Sequence, residues 1–442
     1  MNTEAIEYKN TIDFLTKSLP AYHRIGAAAY KADLKNTEAM MAHLGHPERQ
    51  LTAIHVAGTN GKGSVSHFLA SILQEAGYKT GLYTSPHLTD FRERIRINGK
   101  KIPCDKVVDF VERNKSFFVN NELSFFEMTV GMAYDYFYSE HVDIAVVEVG
   151  MGGRLDSTNV ITPILSIVTN IGFDHTQFLG DTLPKIAAEK AGIIKPGIPV
   201  VIGETHRETA PVFEEVAKQK SASIYFADVS FSVCEHGDSG MEMKADILCR
   251  NKPYMRGIVT PLCGIYQRKN IATVAQSFEI LRNIGLHISE KNFTDGVRNV
   301  VKNTHLRGRW QQVGSDPTVI CETAHNADGV EMLVKKLDTL HYETLHLVYG
   351  CVNDKDYRSI LRMLPENAKY YFTRPSVERG LDSAILSAAA KETGRVGDSF
   401  PSVVEALAAA RRKATKNDVI VVTGSIFLVA DLMSYMNEPD DD

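Results

Sequence analysis

Residues 51–76 read LTAIHVAGTNGKGSVSHFLASILQEA, and the rest of the chain is read outward from them. The β-branched, apolar start (Ile54, Val56) predicts a strand. Val65, Phe68, Leu69, Ile72 and Leu73 then recur at the i, i+3, i+4, i+7, i+8 spacing of one helix face. Between strand and helix stands Gly58-Thr59-Asn60-Gly61-Lys62-Gly63-Ser64. Glycines at such a junction let backbone N–H groups converge on phosphate oxygens, and the new helix points its positive end at them. Lys62 adds a mobile cation, and the Ser64 hydroxyl is placed to reach a bound Mg²⁺. The competing reading, a glycine-rich turn with a solvated lysine, is disfavoured by the strand and helix on either side.

The bulk numbers narrow the class. A chain of 442 residues exceeds one ordinary core, so two or three domains are expected. Hydrophobic residues are 44% and charged residues 23%, as in a soluble globular protein. A net charge of -5, with no basic stripe carrying interleaved aromatics, gives no case for nucleic acid. No apolar run approaches membrane-spanning length, and MNTEAIEYKN lacks the pattern of a signal peptide. The six cysteines (104, 234, 249, 263, 321, 351) form no CxxC pair, which favours free thiols in a reducing compartment over a zinc site. A cytoplasmic location is expected.

Along the chain, residues 1–50 predict helices, with Leu15, Leu19, Ile25, Met40, Met41 and Leu44 as packing positions and Gly45-His46-Pro47 as a stop. Residues 79–84 read as a strand running into a Ser85-Pro86-His87-Leu88 loop, and helices are expected at 105–119 and 126–139. Residues 143–149, 164–169 and 198–202 are nearly continuous apolar strands, as in a parallel sheet buried on both faces. Strands alternating with helix-length segments predict a doubly wound α/β domain with its ligand at the strand C-terminal ends. Residues 223–262 predict a small antiparallel sheet, followed by helices at 266–284 and 289–301. A second βα series begins near Arg309-Trp310-Gln311, with strands at 317–321, 344–349, 369–373 and 418–422. The restart places a boundary near 302–306, with Lys302-Asn303-Thr304-His305 as a short linker, giving domains 1–303 and 304–442. The acidic ending at 438–442 predicts a frayed tail.

Several residues carry chemistry on their own account. Glu148 ends a buried strand, where a carboxylate either holds Mg²⁺ or simply caps a turn; a phosphate loop in the same domain favours the metal. His175 ends the next strand and fits a second ligand or a hydrogen-bonded loop histidine. Lys190 by itself reads as a surface lysine beside Glu189. Residues 84–88 and 91–94 fit substrate loops or charged loops equally. Trp310 fits packing as well as ligand contact.

The loop departs from the standard phosphate loop, because Gly63 separates Lys62 from Ser64 and the leading spacing is shorter. TNGKGS at 59–64, E-V-G-x-G-G-R-x-D-x-T-N at 148–159, D-H at 174–175, E-K-A-G-I at 189–193 and A-H-N at 324–326 occur in order. Together they resemble the folylpolyglutamate synthase/dihydrofolate synthase branch of the Mur ligases, over about residues 20–430. The resemblance implies a P-loop-type doubly wound N-terminal ATPase domain and a smaller Rossmann-like α/β C-terminal domain, in a monomer. It implies ATP-dependent addition of L-glutamate to a folate or dihydropteroate carboxylate through an acyl phosphate. ATP would be held by Thr59, Asn60, Gly61, Lys62, Gly63 and Ser64, with Asn270 of Y-Q-x-x-N near adenine and Arg309 of G-R-(aromatic) on the phosphates. Glu322 and His325 would complete that site, although the family has D-x-A-H-N-P where this chain has Glu322 and Ala327. Mg²⁺ would be held by Ser64, Glu148 and His175, with K⁺ as a further cation. Lys190 is often carbamylated in the family, which requires a neutral amine. The catalytic set is thus Lys62, His175, Lys190 and Arg309. Ser85, Pro86, His87, Arg94, Phe126, Arg154 and Asp156 fall on the acid-substrate side. Gly350 to Asp356 fits G-x-x-x-D-K-D, and Gly424-Ser425 the terminal G-S. The alternatives are a muramyl-precursor ligase and a nucleotide-binding module that is not a ligase.

Overall fold

The computed structural model describes residues 3–17, 19, 33–238 and 242–436. Ile25 and the acidic ending lie outside the described residues. Among those described, the strands form three sheets.

The first sheet contains β1 (Ala53–Ala57), β2 (Thr80–Tyr83), β3 (Ile95–Ile97), β4 (Lys100–Lys101), β5 (Ile144–Glu148), β6 (Leu165–Val168), β7 (Val200–Ile202) and β8 (Ile224–Phe226). Its order is β4-β3-β2-β5-β1-β6-β7-β8, parallel from β2 to β8. β1, β5 and β6 are buried along their whole length, because helices cover both faces. The chain passes outward from β1 to β2 and returns through β5 to β6. The strand order therefore reverses around β1, and the loops after β1, β5 and β6 open into one crevice.

The helix after β1 (Lys62–Glu75) presents Val65, Phe68, Leu69, Ile72 and Leu73 to the core, each at most 1% exposed. Full burial of such a side chain contributes about 1.5–3 kcal/mol. The opposite face of that helix is also covered. Ser71 donates to the Gly296 carbonyl (2.7 Å), and a Cβ on Gly296 would stand 2.5 Å from the Ile72 Cα.

The second sheet, β9 (Phe231–Asp238), β10 (Met243–Cys249) and β11 (Lys252–Thr260), is antiparallel in the order β11-β10-β9. It begins later than the sequence suggested, because Ile224–Phe226 pairs in parallel with β7 and extends the first sheet. The third sheet has the order β12-β13-β17-β14-β15-β16. Its strands are β12 (Gln311–Ser315), β13 (Thr318–Glu322), β14 (Leu345–Tyr349), β15 (Lys369–Phe372), β16 (Gly397–Ser399) and β17 (Val419–Thr423). All its pairings are parallel except the β12 edge.

The expected helix at 289–301 is two, Glu290–Arg298 and Val300–Thr304. Lys302, Asn303 and Thr304 are consequently helical rather than a linker. Asn303 reaches back to Ser71 Oγ (3.1 Å) and Glu75 Oε1 (2.8 Å) of the helix after β1. The chain leaves this packing at His305. It then turns through three left-handed residues, His305 (φ 55), Gly308 (φ 73) and Trp310 (φ 48), before β12. Trp310 is buried in the core of the third sheet, which resolves its role as packing. None of the six cysteines is disulfide-bonded. Among the described residues no helix is long and apolar enough to cross a membrane.

Candidate active site

The C-terminal ends of the first and third sheets face each other across a cleft of about 630 Å³. Its floor is the glycine loop. Gly61 has φ 86, a conformation costly for any residue with a Cβ, and it starts the helix Lys62–Glu75. A Cβ on Gly58 would collide with the Thr169 hydroxyl, and one on Gly61 with the Asn270 amide. Both glycines are thus demanded by close approach as well as by backbone angle.

Thr59, Asn60, Gly61, Lys62, Gly63 and Ser64 all line the cleft, as do Asn270, Arg309, Glu322 and His325. Lys62 Nζ folds back on its own loop and donates to the carbonyls of Gly58 (3.0 Å) and Thr59 (3.2 Å). Ser64 Oγ accepts from Gln267 Nε2 (3.2 Å), whose Oε1 accepts from Asn270 Nδ2 (2.8 Å). Arg309 comes from the third-sheet side, held by the Thr323 hydroxyl and the Gly308 carbonyl. A Cβ on Gly63 would stand 3.5 Å from Arg309 Nη2 and 3.8 Å from Glu148 Oε1. Arginine, carboxylate and glycine loop therefore meet at one point.

Glu148 is buried, and burial pushes its carboxyl above the usual range; Lys62, the Ser85 N–H (3.2 Å), Arg309 and Arg94 oppose the shift. A carboxylate at the mouth of a phosphate loop is the oxygen ligand a hard divalent cation prefers, once phosphate charge balances the neighbouring lysine and arginines. His175 (φ 49) lines the same cleft, and burial holds its imidazole neutral, down to about 3, as metal ligation requires. Among the described residues no group of three or more His, Cys, Asp and Glu could hold a metal unaided. Ser64, Glu148 and His175 all line the cleft, so a Mg²⁺ there would have to take most of its oxygens from phosphate and water.

Lys190 is not on the surface. It lies beneath the loop, 3% exposed, donating to the Gly58 carbonyl (2.9 Å) that Lys62 also uses. Burial first, then the neighbouring Lys62 charge, lowers its pKa to about 7. That supplies the neutral amine that carbamylation needs.

On the other side, Ser85, Pro86, Arg94, Phe126 and Asp156 line the cleft, whereas His87 and Arg154 do not. His87 Nδ1 is occupied by Arg94 Nε (2.7 Å), and Arg154 turns outward to Glu189 (2.8 Å). Asp156 is held by Met151 N–H (2.9 Å), Thr158 N–H (3.0 Å) and the Thr158 hydroxyl (2.5 Å). Because that hydroxyl donates to Asp156, it accepts from His55 Nε2 (2.9 Å), which fixes the tautomer of this buried histidine. Burial raises the Asp156 carboxyl above its usual range.

Sequence reasoning assigned no role to Asp174, Lys355 or Asn326, yet they join the two sheets. Asp174 accepts from Lys355, from His325 Nε2 (3.3 Å) and from Asn326 Nδ2 (3.4 Å). Burial alone would raise its carboxyl; the His325 hydrogen bond and the Lys355 charge outweigh that and hold it well below the carboxylate range. Asn326 and Asn60 exchange amide hydrogen bonds of 3.0 and 3.2 Å across the same gap. The D-H and D-K-D motifs contained these residues, but nothing in one sequence pairs positions 174 and 355. Glu322, at the end of β13, accepts from Tyr266 OH and from the Trp310 N–H, both 2.8 Å. Burial raises its carboxyl, and Oε2, which takes both bonds, joins the Tyr266 segment to the third sheet.

The profile of the Mur ligase middle domain matches residues 56–275, and that of the Mur ligase glutamate ligase domain residues 308–426. The dihydrofolate synthase/folylpolyglutamate synthase of Bacillus subtilis is 33% identical over 423 residues, covering 91% of this chain and 94% of its own. The chain belongs to the folylpolyglutamate synthase/dihydrofolate synthase branch of the Mur ligases. It is an ATP-dependent ligase of that type. A probable bifunctional folylpolyglutamate synthase/dihydropteroate synthase of Haloferax volcanii is 35% identical over 91% of this chain, which spans only about half (48%) of that protein.

Among solved structures, folylpolyglutamate synthase from Thermotoga maritima superposes with TM-score 0.82 at 33% identity, covering 98% of both chains. E. coli FolC in complex with DHPP and ADP gives TM-score 0.84 at 29% identity over 99% of both. A bifunctional folylpolyglutamate synthase/dihydrofolate synthase with Mn, AMPPNP and L-glutamate bound gives 0.80 at 28%, covering 92% of this chain and 95% of that one. Ligases of this branch thus bind adenine nucleotides, and one binds a divalent metal with its nucleotide.

Proposed function

We propose that the chain transfers L-glutamate onto the carboxylate of dihydropteroate, of a reduced folate, or of both, and that it does so with MgATP. The observation that carries this reading is the meeting of Arg309, Lys62 and Glu148 at the glycine loop, at the junction of two facing sheets. The first domain would run through Thr304, the end of the helix packed on the glycine-loop helix, and the second would begin at His305.

A carboxylate oxygen of the acid attacks the γ-phosphorus, the bond to the β,γ-bridging oxygen breaks, and ADP leaves. The glutamate amine then attacks the acyl carbon, loses a proton, and the carbon–oxygen bond to phosphate breaks. Lys62 and the loop N–H groups offset the charge on the transferring phosphoryl group, and Arg309 does so from the opposite side. Ser64, Glu148 and His175 would hold the magnesium ion, which supplies Lewis-acid charge at the phosphates. Arg94, Phe126 and Asp156 would bind the acid, with Ser85 and Pro86 shaping its entry. The Asp174 cluster holds the sheets together so that water does not reach the acyl phosphate.

Lys190 would be carbamylated, its neutral amine joining carbon dioxide with loss of a proton. Replacing it separates stability from activity. The folded-state value of about 7 lies below the unfolded 10.5, so the unfolded chain binds the extra proton between those limits. The penalty is full below pH 7 and is relieved as pH rises towards 10.5. With Lys190 unmodified, in protein freed of carbon dioxide, Lys190→Met is therefore expected to raise the unfolding midpoint most at pH 6–7, while under assay conditions it lowers ligation at least about tenfold. A variant less stable than wild type at pH 6 would contradict the buried-amine account. Intact mass under native conditions, with a carbon dioxide adduct lost on acid treatment, tests the modification itself.

The deciding assay is incorporation of labelled glutamate with MgATP, offering dihydropteroate and tetrahydrofolate separately. Incorporation into both defines a bifunctional enzyme, and into one alone its single role. Incorporation into neither by folded, ADP-binding protein would overturn the folate reading. A monomer in the cytoplasm is the expected setting.

A further inference from the structure

We propose that Arg307 is a positioning residue that couples the acid-side loop, residues 85–94, to the nucleotide half of the site. This rests on the assignment of that loop to the acid substrate.

Both ends of the loop line the cleft, through Ser85, Pro86 and Arg94. Its middle turns away from the cleft and is organised by Glu93. Glu93 Oε2 accepts from the Leu88 N–H (2.7 Å), and Oε1 accepts from the Thr89 N–H (3.1 Å), the Thr89 hydroxyl (2.8 Å) and the Asp90 N–H (3.0 Å). Oε1 also accepts from Arg307 Nη2 at 2.5 Å, and that nitrogen reaches Thr89 Oγ1 at 2.7 Å. The pair is largely shielded, with side chains 17% and 11% exposed, so its loss is not made good by water.

Arg307 precedes Arg309 by two residues, and the peptide between them has little room. Gly308 has φ 73, and its carbonyl accepts from the Thr323 N–H (3.3 Å). A Cβ there would stand 3.1 Å from Thr323 Cγ2, 3.4 Å from Val429 Cγ1 and 3.6 Å from Leu88 Cδ1. Leu88, from the loop itself, packs on the core containing Leu428 and Val429. The loop backbone, Glu93, Arg307, Gly308 and Arg309 thus form a continuous track from the acid side of the cleft to the phosphate loop. An acid that orders the loop seats Arg307 and with it Arg309. By linkage, a nucleotide that draws Arg309 onto its phosphates orders the loop to the same extent.

The test measures, by calorimetry on the full chain with Mg²⁺, the affinity for dihydropteroate and for tetrahydrofolate with and without the non-hydrolysable nucleotide AMPPCP. In wild type each ligand is expected to raise the other's affinity about 5–20-fold. In Arg307→Gln this factor falls to within about twofold of unity, while each ligand binds alone as in wild type. Glu93→Gln reads the same coupling from the loop end, and also serves if Arg307→Gln does not fold. The double variant is expected to lose no more than either single one. Wild-type coupling retained in Arg307→Gln, or independent losses in the two single variants, would overturn the proposal. Arg94→Gln separates the underlying assignment: unchanged acid affinity in that variant would sink the loop's role, and the proposal with it. Weakened acid binding in Arg94→Gln with coupling intact in Arg307→Gln would sink only the proposal.

Discussion

Lys62→Ala is expected to fold as wild type does and to incorporate glutamate about 10²–10³-fold more slowly, the scale for removing one preorganised charge from a phosphoryl-transfer site. Folding is spared because Lys62 is the first residue of its helix, where alanine is favourable, and because its two hydrogen bonds go to carbonyls of its own loop. Neither bond joins two elements, and Lys190 still donates to the Gly58 carbonyl after Lys62 is gone. With nucleotide present, the ammonium can leave those carbonyls for phosphate oxygens at little cost, since both states satisfy it. The loss should appear mainly in kcat, because Lys62 offsets charge that develops on the departing β-phosphate as the bridge to the transferring group breaks. Steady-state glutamate incorporation together with thermal unfolding provides the check. Full activity would remove the glycine loop from the phosphates. One secondary effect follows from the shared carbonyl: without the Lys62 charge, one cause of the low Lys190 value disappears, so carbamylation should also decline.

Arg309→Ala is expected to lower kcat by about 10³-fold or more, the range known for arginines that reach a transferring phosphoryl group from an opposing element. The side chain is hydrogen-bonded to the Thr323 hydroxyl and the Gly308 carbonyl and its charge offsets the buried Glu148 and Glu322 carboxyls, so its removal opens the cleft without uncovering an apolar core. Arg309→Lys should recover only part of the rate, because an ammonium replaces a planar fork with a point charge. A KM for ATP that changes only a few-fold while kcat collapses would mark an interaction made in the transition state. Equal kcat in the alanine variant would place the arginine away from the reacting phosphate. This variant and Arg307→Gln are expected to differ in kind: the first loses rate, the second loses the mutual assistance between acid and nucleotide.

The first sheet and the glycine loop were legible in the sequence because their signals are local. Ile144 to Glu148 is a run of apolar residues ending in a carboxylate, and that pattern alone marks a central parallel strand with a residue at its mouth. The edges were not legible. Gly397–Ser399 and Lys100–Lys101 are strands only because a neighbour hydrogen-bonds to them, and their own residues are polar. Ile224–Phe226 illustrates the converse: its alternation fits an antiparallel hairpin, yet β7 offered an open parallel edge first. Among site residues, the glycines, Lys62 and Glu148 stood where the strand–loop–helix pattern put them. His87 and Arg154 had motif positions on the acid side but turned to Arg94 and Glu189, since a charged or polar side chain takes the nearest satisfying partner and sequence spacing does not record which that is.

By itself the sequence determined the alternation of strands and helices, the glycine-rich turn between β1 and its helix, and the kind of chemistry those residues can perform. Each follows from forces acting over a few residues: side-chain periodicity, the conformational freedom of glycine, and the field at a helix start. Only the tertiary structure decided what lies opposite what. It set Arg309 against Gly63, Lys190 beneath Gly58 beside a second lysine, Asp174 between His325 and Lys355, and Glu93 on Arg307. Those relations depend on how two sheets meet, and the burial that shifts Lys190 and Glu148 from their ordinary protonation exists only once they have met.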